Sequence, residues 1–241
     1  MCTLGAKRID CRFFIFKNRD RENREERANK TRIALEKGGG KAEKLLVIDR
    51  KGHCEGLNEF GIGFVEATLQ PYPRARIRTI SHFARNILDQ PTLEKAISAI
   101  KRRKTSCNVI ISDGKNAFAV EKTPYSFAAT RIAQKGVLTN LSVKLNPKNG
   151  SKLESVREWA RARYERGNEI IGNVKGLKGI IRFLSDRKGW PDRSICSGGN
   201  WWIRTRCSYI YDLEKRTIYF CGTRPDKGGF KKYSLPARDK A

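Results

Sequence analysis

The sequence predicts a layered α+β architecture with largely antiparallel sheets. Three observations carry this. Strand-like segments fall in blocks separated by pairs of helix-like segments, the pattern of stacked layers. The hydrophobic period changes from 2 to 3.6 at residue 79 and back again near residue 108. A hairpin turn signal, Asp113-Gly114, joins two apolar segments of similar length.

Taken in order, Cys11-Arg-Phe-Phe-Ile-Phe-Lys17 is short, aromatic and β-branched and reads as a strand. Residues 18–30 are almost wholly polar and read as a loop or exposed helix. Gly38-Gly39-Gly40 marks a turn, and Leu45-Leu-Val-Ile48 and residues 61–69 continue the β pattern until Pro71 and Pro73 break it. Residues 79–89 place Ile80, Phe83, Ala84, Ile87 and Leu88 on one helical face. Thr92 is placed to cap a second helix, whose stripe is Leu93, Ala96, Ile97 and Ile100 and whose basic end, residues 101–104, suits a helix C-terminus. Strands are expected at 108–112, 117–121 and 126–132, followed by Gly136-Val-Leu-Thr-Asn140. Helices are expected at 151–166 and 173–186, and a closing hairpin at 200–211 and 216–221. No repeat, linker or low-complexity tract divides residues 1–241, so one domain is expected.

Composition narrows the function classes. With 39% hydrophobic and 32% charged residues the chain suits a globular protein and not a membrane one. No apolar run approaches the roughly 18 residues needed to span a bilayer. Lys7, Arg8 and Asp10 stand where a signal peptide needs apolar residues, and seven cysteines without a Cys-x-x-Cys pair suit reduced intracellular thiols. A cytoplasmic location is therefore expected. His53-Cys54 is adjacent, which is poor spacing for a zinc site, so no metal is expected. The net charge of +26 makes a polyanion or nucleic acid a possible partner, with Arg74-Ala-Arg-Ile-Arg78 and residues 101–104 the densest basic clusters. No zinc-finger, helix-turn-helix or aromatic RNA-binding signature accompanies it. The ordinary reading of these clusters is a solvated face. The single Met of the chain, Met1 itself, is compatible with a heat-adapted source.

The position with most chemical content is Cys2, which removal of Met1 by N-terminal processing exposes as the first residue. A terminal cysteine carries a nucleophile and an amine with a reference pKa of about 7.7–8.0, close to the ideal for a general base. Alone, a second-position Cys is as readily a strand residue. Further segments occur in a telling order: Phe16-Lys-Asn-Arg-Asp20, Gly56-Leu-Asn-Glu-Phe-Gly-Ile-Gly63, residues 108–121, and Gly136-Val-Leu-Thr-Asn140. With Cys2 they resemble the cysteine-type N-terminal nucleophile (Ntn) hydrolases of linear amides. These are the bile salt hydrolases, penicillin V acylases and acyl-CoA:6-aminopenicillanate acyltransferases.

The resemblance implies a four-layer αββα sandwich and an amide hydrolase or acyltransferase that needs no cofactor. Cys2 matches the nucleophile, and Asp20 the carboxylate that orients the terminal amine and thiol. Lys17 stands where the family has Arg, keeping the charge and losing the planar fork; Arg19 or Arg12 could compensate. Asn58-Glu59-x-Gly61 matches a structural turn. Thr68 stands near the oxyanion, where its backbone N–H can serve as donor. Asn140 matches the Asn that holds the reacting carbonyl oxygen, and Arg157 is the best match to a later active-site Arg. The implied partner is a small amide or acyl substrate, and the family often forms oligomers. Asn18-Arg19-Asp20 also fits poorly characterised relatives with an Asn-Arg-Asp motif, and glutamine amidotransferases use a terminal Cys as well. His53 and His82 are read as structural, and Trp201-Trp202 as packing in the core or a pocket wall.

Overall fold

The computed structural model describes residues 2–22, 31–37, 41–69, 77–145, 154–198 and 203–236. Two antiparallel sheets stack face to face. The first holds six strands in the order β10-β1-β2-β11-β12-β13. Its members are β1 (Cys2–Ile9), β2 (Arg12–Glu22), β10 (Lys135–Leu138), β11 (Ile203–Asp212), β12 (Thr217–Cys221) and β13 (Lys231–Ser234). The second holds seven strands in sequence order: β3 (Arg32–Glu36), β4 (Lys44–Ile48), β5 (Cys54–Asn58), β6 (Gly63–Thr68), β7 (Cys107–Ser112), β8 (Ala117–Lys122) and β9 (Phe127–Ile132).

Alternation decides which face each residue serves. In the first sheet Leu4, Ala6, Phe13, Ile15, Tyr209 and Tyr211 turn toward the second and meet Leu45, Val47, Leu57, Val65 and Ile110 in one core. On the outer face Phe14, Phe16, Val137 and Ile210 pack against α4 (Gly176–Leu184), with Tyr164 of α3 (Glu154–Ile170) beside them. The outer face of the second sheet, with Phe64, Val109 and Ile111, is covered by α1 (Ile77–Leu88) and α2 (Leu93–Lys101). The result is the αββα order expected.

Local signals explain most boundaries. Thr92 caps α2 by accepting from Lys95 N at 3.3 Å. Asn58 accepts from Phe60 N and Ile62 N and donates to Leu88 O and Gln90 O, so the Asn-Glu-x-Gly turn also ties down the end of α1. Gly61 takes φ +81°, which its lack of Cβ permits. The β1–β2 hairpin turns on Asp10 and Cys11, with φ 48° and 63°, although neither is glycine; Cys11 is exposed.

The reading of residues 18–30 as a loop or exposed helix is corrected over its first five positions: β2 runs through Asn18, Arg19 and Asp20, all buried. These polar residues are tolerated inside because each has a partner. Asn18 donates to Leu184 O and Ile195 O and accepts from Ser208 Oγ. Strands β3, β5 and β13 lack a clear period-2 signal and were not expected. The turns at 38–40, the prolines at 71 and 73, and Trp201-Trp202 lie outside the described residues.

Candidate active site

The β1–β2 and β2–β11 registers build the site. Cys2 stands opposite Arg19, and Arg19 stands opposite Cys207, so the three form one row across three strands. Cys2 and Cys207 belong to the core between the sheets, which places the whole row on the inter-sheet face. The next row on that face is Leu4, Lys17 and Tyr209.

Asn140 joins the two sheets at this point. It follows β10, which pairs with the outer edge of β1. Its Oδ1 accepts from Cys2 N at 2.6 Å, and its Nδ2 donates to Thr68 O at 2.5 Å at the end of β6. The loop that carries it is clamped: Asn108 Nδ2 donates to Thr139 O and to Leu141 O, both at 2.7 Å, and Thr139 Oγ1 donates to Ala160 O in α3 at 3.0 Å. Thr68 pairs with Cys107, while the adjacent Leu69 N bonds Ser106 O. Bonded and non-bonded pairs alternate in an antiparallel ladder, so the Thr68 N–H and C=O point together away from β7. The N–H is therefore on the side where Asn140 lies.

Lys17 and Arg19 are both buried, and they differ in what they hold. Lys17 Nζ is paired with the Glu55 carboxylate and the Glu66 carbonyl, and Tyr209 Oη donates to the second Glu55 oxygen at 2.8 Å. Arg19 Nη2 donates to Asp49 Oδ2 at 2.9 Å, but its Nε and Nη1 have no hydrogen-bond partner among the described residues. Burial works to raise the Asp49 pKa; the hydrogen bond from His53 and the charges of Arg19 and Arg21 overcome it and hold the carboxyl well below its usual range. Burial, with the charge of Glu55 adding, pushes the Glu66 carboxyl up to about 7, and burial pushes the Cys207 thiol up to about 11. Arg12 lies at the far end of the hairpin, paired with Glu214 and Asp212.

Asp20 alternates to the opposite face from Arg19. Its carboxylate accepts from Arg163 Nη1 at 2.6 Å and from Thr205 Oγ1 at 2.8 Å, under the helical layer. Arg163, 1% exposed on α3, also donates to Asp192 O. Arg157, six positions earlier on the same helix, is exposed and is not brought to the cluster. Arg163 is the residue that sequence reasoning missed. The signal available was a charge on the buried stripe of α3, between Ala160 and Gly167. Cys2, Asn140, Thr68 and Lys17 are brought together around one end of the sandwich, and Asp20 lies beneath that end on the other side of its sheet.

The family model for acyl-coenzyme A:6-aminopenicillanic acid acyltransferase matches residues 7–227. The chain belongs to that family. The family match begins after Cys2, so the placement of Cys2 rests on the strand register. Two solved structures share the fold. The C2A mutant of conjugated bile acid hydrolase from Clostridium perfringens is 16% identical with a TM-score of 0.56, covering 98% of this chain and 97% of that one. The N-acylethanolamine-hydrolyzing acid amidase ortholog from Caenorhabditis elegans is 13% identical with a TM-score of 0.59, covering 98% and 100%. A comparison with curated proteins gives no match. The family and these folds are of the Ntn-hydrolase type.

Proposed function

We propose that the protein is a cysteine Ntn amide hydrolase or acyltransferase acting on a linear amide, with Cys2 as nucleophile once Met1 is removed. The observation that carries this is the Asn140 bridge, which holds the Cys2 nitrogen at 2.6 Å and the end of β6 at 2.5 Å with one side chain. When Met1 leaves, the nitrogen that Asn140 Oδ1 holds becomes the α-amine. That amine takes the thiol proton, and the thiolate attacks the carbonyl carbon. The oxyanion that forms is held by the second Nδ2 hydrogen of Asn140 and the Thr68 N–H, fixed donors on the same side. Collapse breaks the C–N bond, the α-ammonium gives its proton to the departing amine, and a thioester remains on Cys2. Water, or a second amine in the transferase direction, attacks the thioester, gives a proton to the α-amine, and releases the thiol.

Arg19 takes the place of the family's arginine in this reading. Its two unpartnered donors and its register opposite Cys2 favour a thiolate or a bound carbonyl there. Lys17 is committed to Glu55 and holds β2 to the second sheet. Asp20 and Arg163 are positioning residues that fix β2 beneath the amine. The chain works on a small-molecule substrate in the cytoplasm, the location its cysteine usage suits.

Intact-mass measurement is expected to give a chain beginning at Cys2. A panel of linear amides, glutamine included, is expected to be cleaved by the wild type and not by Cys2→Ala. Retention of Met1 throughout, or equal rates in both proteins, would refute the nucleophile. Ammonia release from glutamine alone would move the chain to the amidotransferases.

A further inference from the structure

The segment from Asn108 to Glu121 folds back on itself at Asp113-Gly114, and the β7–β8 register sets its two ends opposite each other. Asn108 and Glu121 are both buried. They face the core between the sheets, as the next pair on that face, Ile110 and Ala119, does. Beside this rung runs the stretch of residues 139–145, which follows β10 and is neither helix nor strand. Its backbone groups have no ladder to join, so their partners must come from elsewhere.

The two side chains divide that work by chemistry. Asn108 Nδ2 donates to the carbonyls of Thr139 and Leu141, one on either side of Asn140. Glu121 takes the donors that follow. Its carboxylate accepts from Ser142 Oγ at 2.7 Å, Val143 N at 2.9 Å, Lys144 N at 3.0 Å and Leu145 N at 3.1 Å. Three successive N–H groups and a hydroxyl compensate a carboxylate that is 3% exposed. Asn108 grips the loop through a single nitrogen, a pivot about which the chain can still turn. Glu121 removes that freedom by holding residues 142–145 as well. Asn140 is thereby set in direction as well as in place, with Oδ1 at the Cys2 nitrogen and Nδ2 at Thr68 O.

We propose that Glu121 is a positioning residue for the reaction at Cys2: its carboxylate fixes the loop that carries Asn140 and so aims the Asn140 side chain at both the Cys2 nitrogen and the oxyanion. The inference rests on Asn140 holding the oxyanion formed at Cys2. Glu121 acts through Asn140, so its effect falls on the transition state and not on substrate binding. Glutamine has the same shape but turns an NH2 group toward a row of N–H donors, so it cannot hold the loop in the same way.

The test uses the amide of the panel that the wild type cleaves fastest. Glu121→Gln is expected to lower kcat by about tenfold or more while KM stays within about threefold. Glu121→Asp, which keeps the charge on a shorter arm, is expected to recover part of kcat. The deciding measurement is a double-mutant cycle with Asn140→Ala. Once Asn140 is gone, Glu121→Gln is expected to cost nothing further. The same fold loss in both backgrounds would make Glu121 an ordinary structural clamp and overturns the proposal. A kcat unchanged in Glu121→Gln, or a loss confined to KM, overturns it too and leaves the nucleophile standing. Hydrogen exchange of the amides of residues 143–145 is expected to quicken in Glu121→Gln, and unchanged exchange overturns the clamp itself. If Glu121→Gln gives no cooperative melt, the same cycle is run with Glu121→Asp and with Ser142→Ala, and the same outcomes decide. No cleavage of any amide, with Cys2→Ala indistinguishable from wild type, overturns the catalytic reading and the role of Glu121 with it.

Discussion

Arg19 combines three properties that rarely occur together: full burial, an ion pair to Asp49, and two donor nitrogens with no partner among the described residues. An orphaned buried N–H carries a desolvation cost of about 1–3 kcal/mol, a cost that the thiolate or bound carbonyl of the proposed reaction would relieve. Arg19→Gln is expected to lower kcat for amide cleavage at least tenfold, measured on the amide panel, and Arg19→Lys to restore part of the rate. The same Arg19→Gln change removes the nearer of two arginines from buried Asp49, leaving Arg21 at 3.5 Å, and is expected to lower stability by about 1–3 kcal/mol, read by urea denaturation. Glu66 supplies a pH signature. Its carboxyl is raised to about 7 in the folded chain, so the fold favours its protonated form. Stability is then full at low pH, falls as pH rises from the ordinary carboxylate value through about 7, and levels off above. Glu66→Gln is expected to be neutral near pH 4 and to stabilise by about 1–2 kcal/mol at pH 8, measured by thermal melts at both. The neighbourhood of Cys2 and Asn140 was legible in the sequence because each lies in a short ordered motif, whereas Asp20, expected to orient the amine and thiol, alternates to the helical face and pairs with Arg163 and Thr205. Arg163 was not legible, because what marks it is its burial on α3, and burial of one side chain on a helix depends on what packs above it.

The two edges of β1 do different work. On one, β2 supplies Arg19; on the other, β10 delivers Asn140. Close approach of strand and helix layers makes this precise. A Cβ built on Gly5 of β1 would lie 2.1 Å from the Phe16 ring, which meets Phe183 of α4 edge-on at 5.3 Å. Gly5→Ala therefore forces Phe16 and α4 to move, and a loss of about 1–3 kcal/mol is expected in chemical denaturation. The strong elements were readable from pattern: β7 and β8 around Asp113-Gly114, and α2 from its Thr92 cap. The polar half of β2 was not. Its residues read as solvated, and only the partners that α4 and β11 bring from far along the chain satisfy them. β5 was hidden for a related reason: Glu55 sits inside because Lys17 and Tyr209 hold it there.

At the scale of the molecule, the layer order followed from the blocks of strands and helices, and the charge did not follow from anything. A net charge of +26 repels itself, so the melting temperature at pH 7 is expected to rise between low salt and about 0.5 M NaCl; an unchanged or lower value would place the charges in compensated pairs. The two poles of the sandwich are chemically unlike. One carries Cys2 and the Asn140 bridge, the other the β1–β2 turn with Asp10 and Cys11 in left-handed backbone. Cys11 is exposed while the six other thiols are buried. A thiol reagent added to the native protein consequently labels the wrong pole first, and two molecules can crosslink there under air. Asp10→Asn with Cys11→Gly fits the turn better, since both positions then tolerate positive φ. That change yields a background in which the slow, sheltered alkylation of Cys2 is the signal left to count.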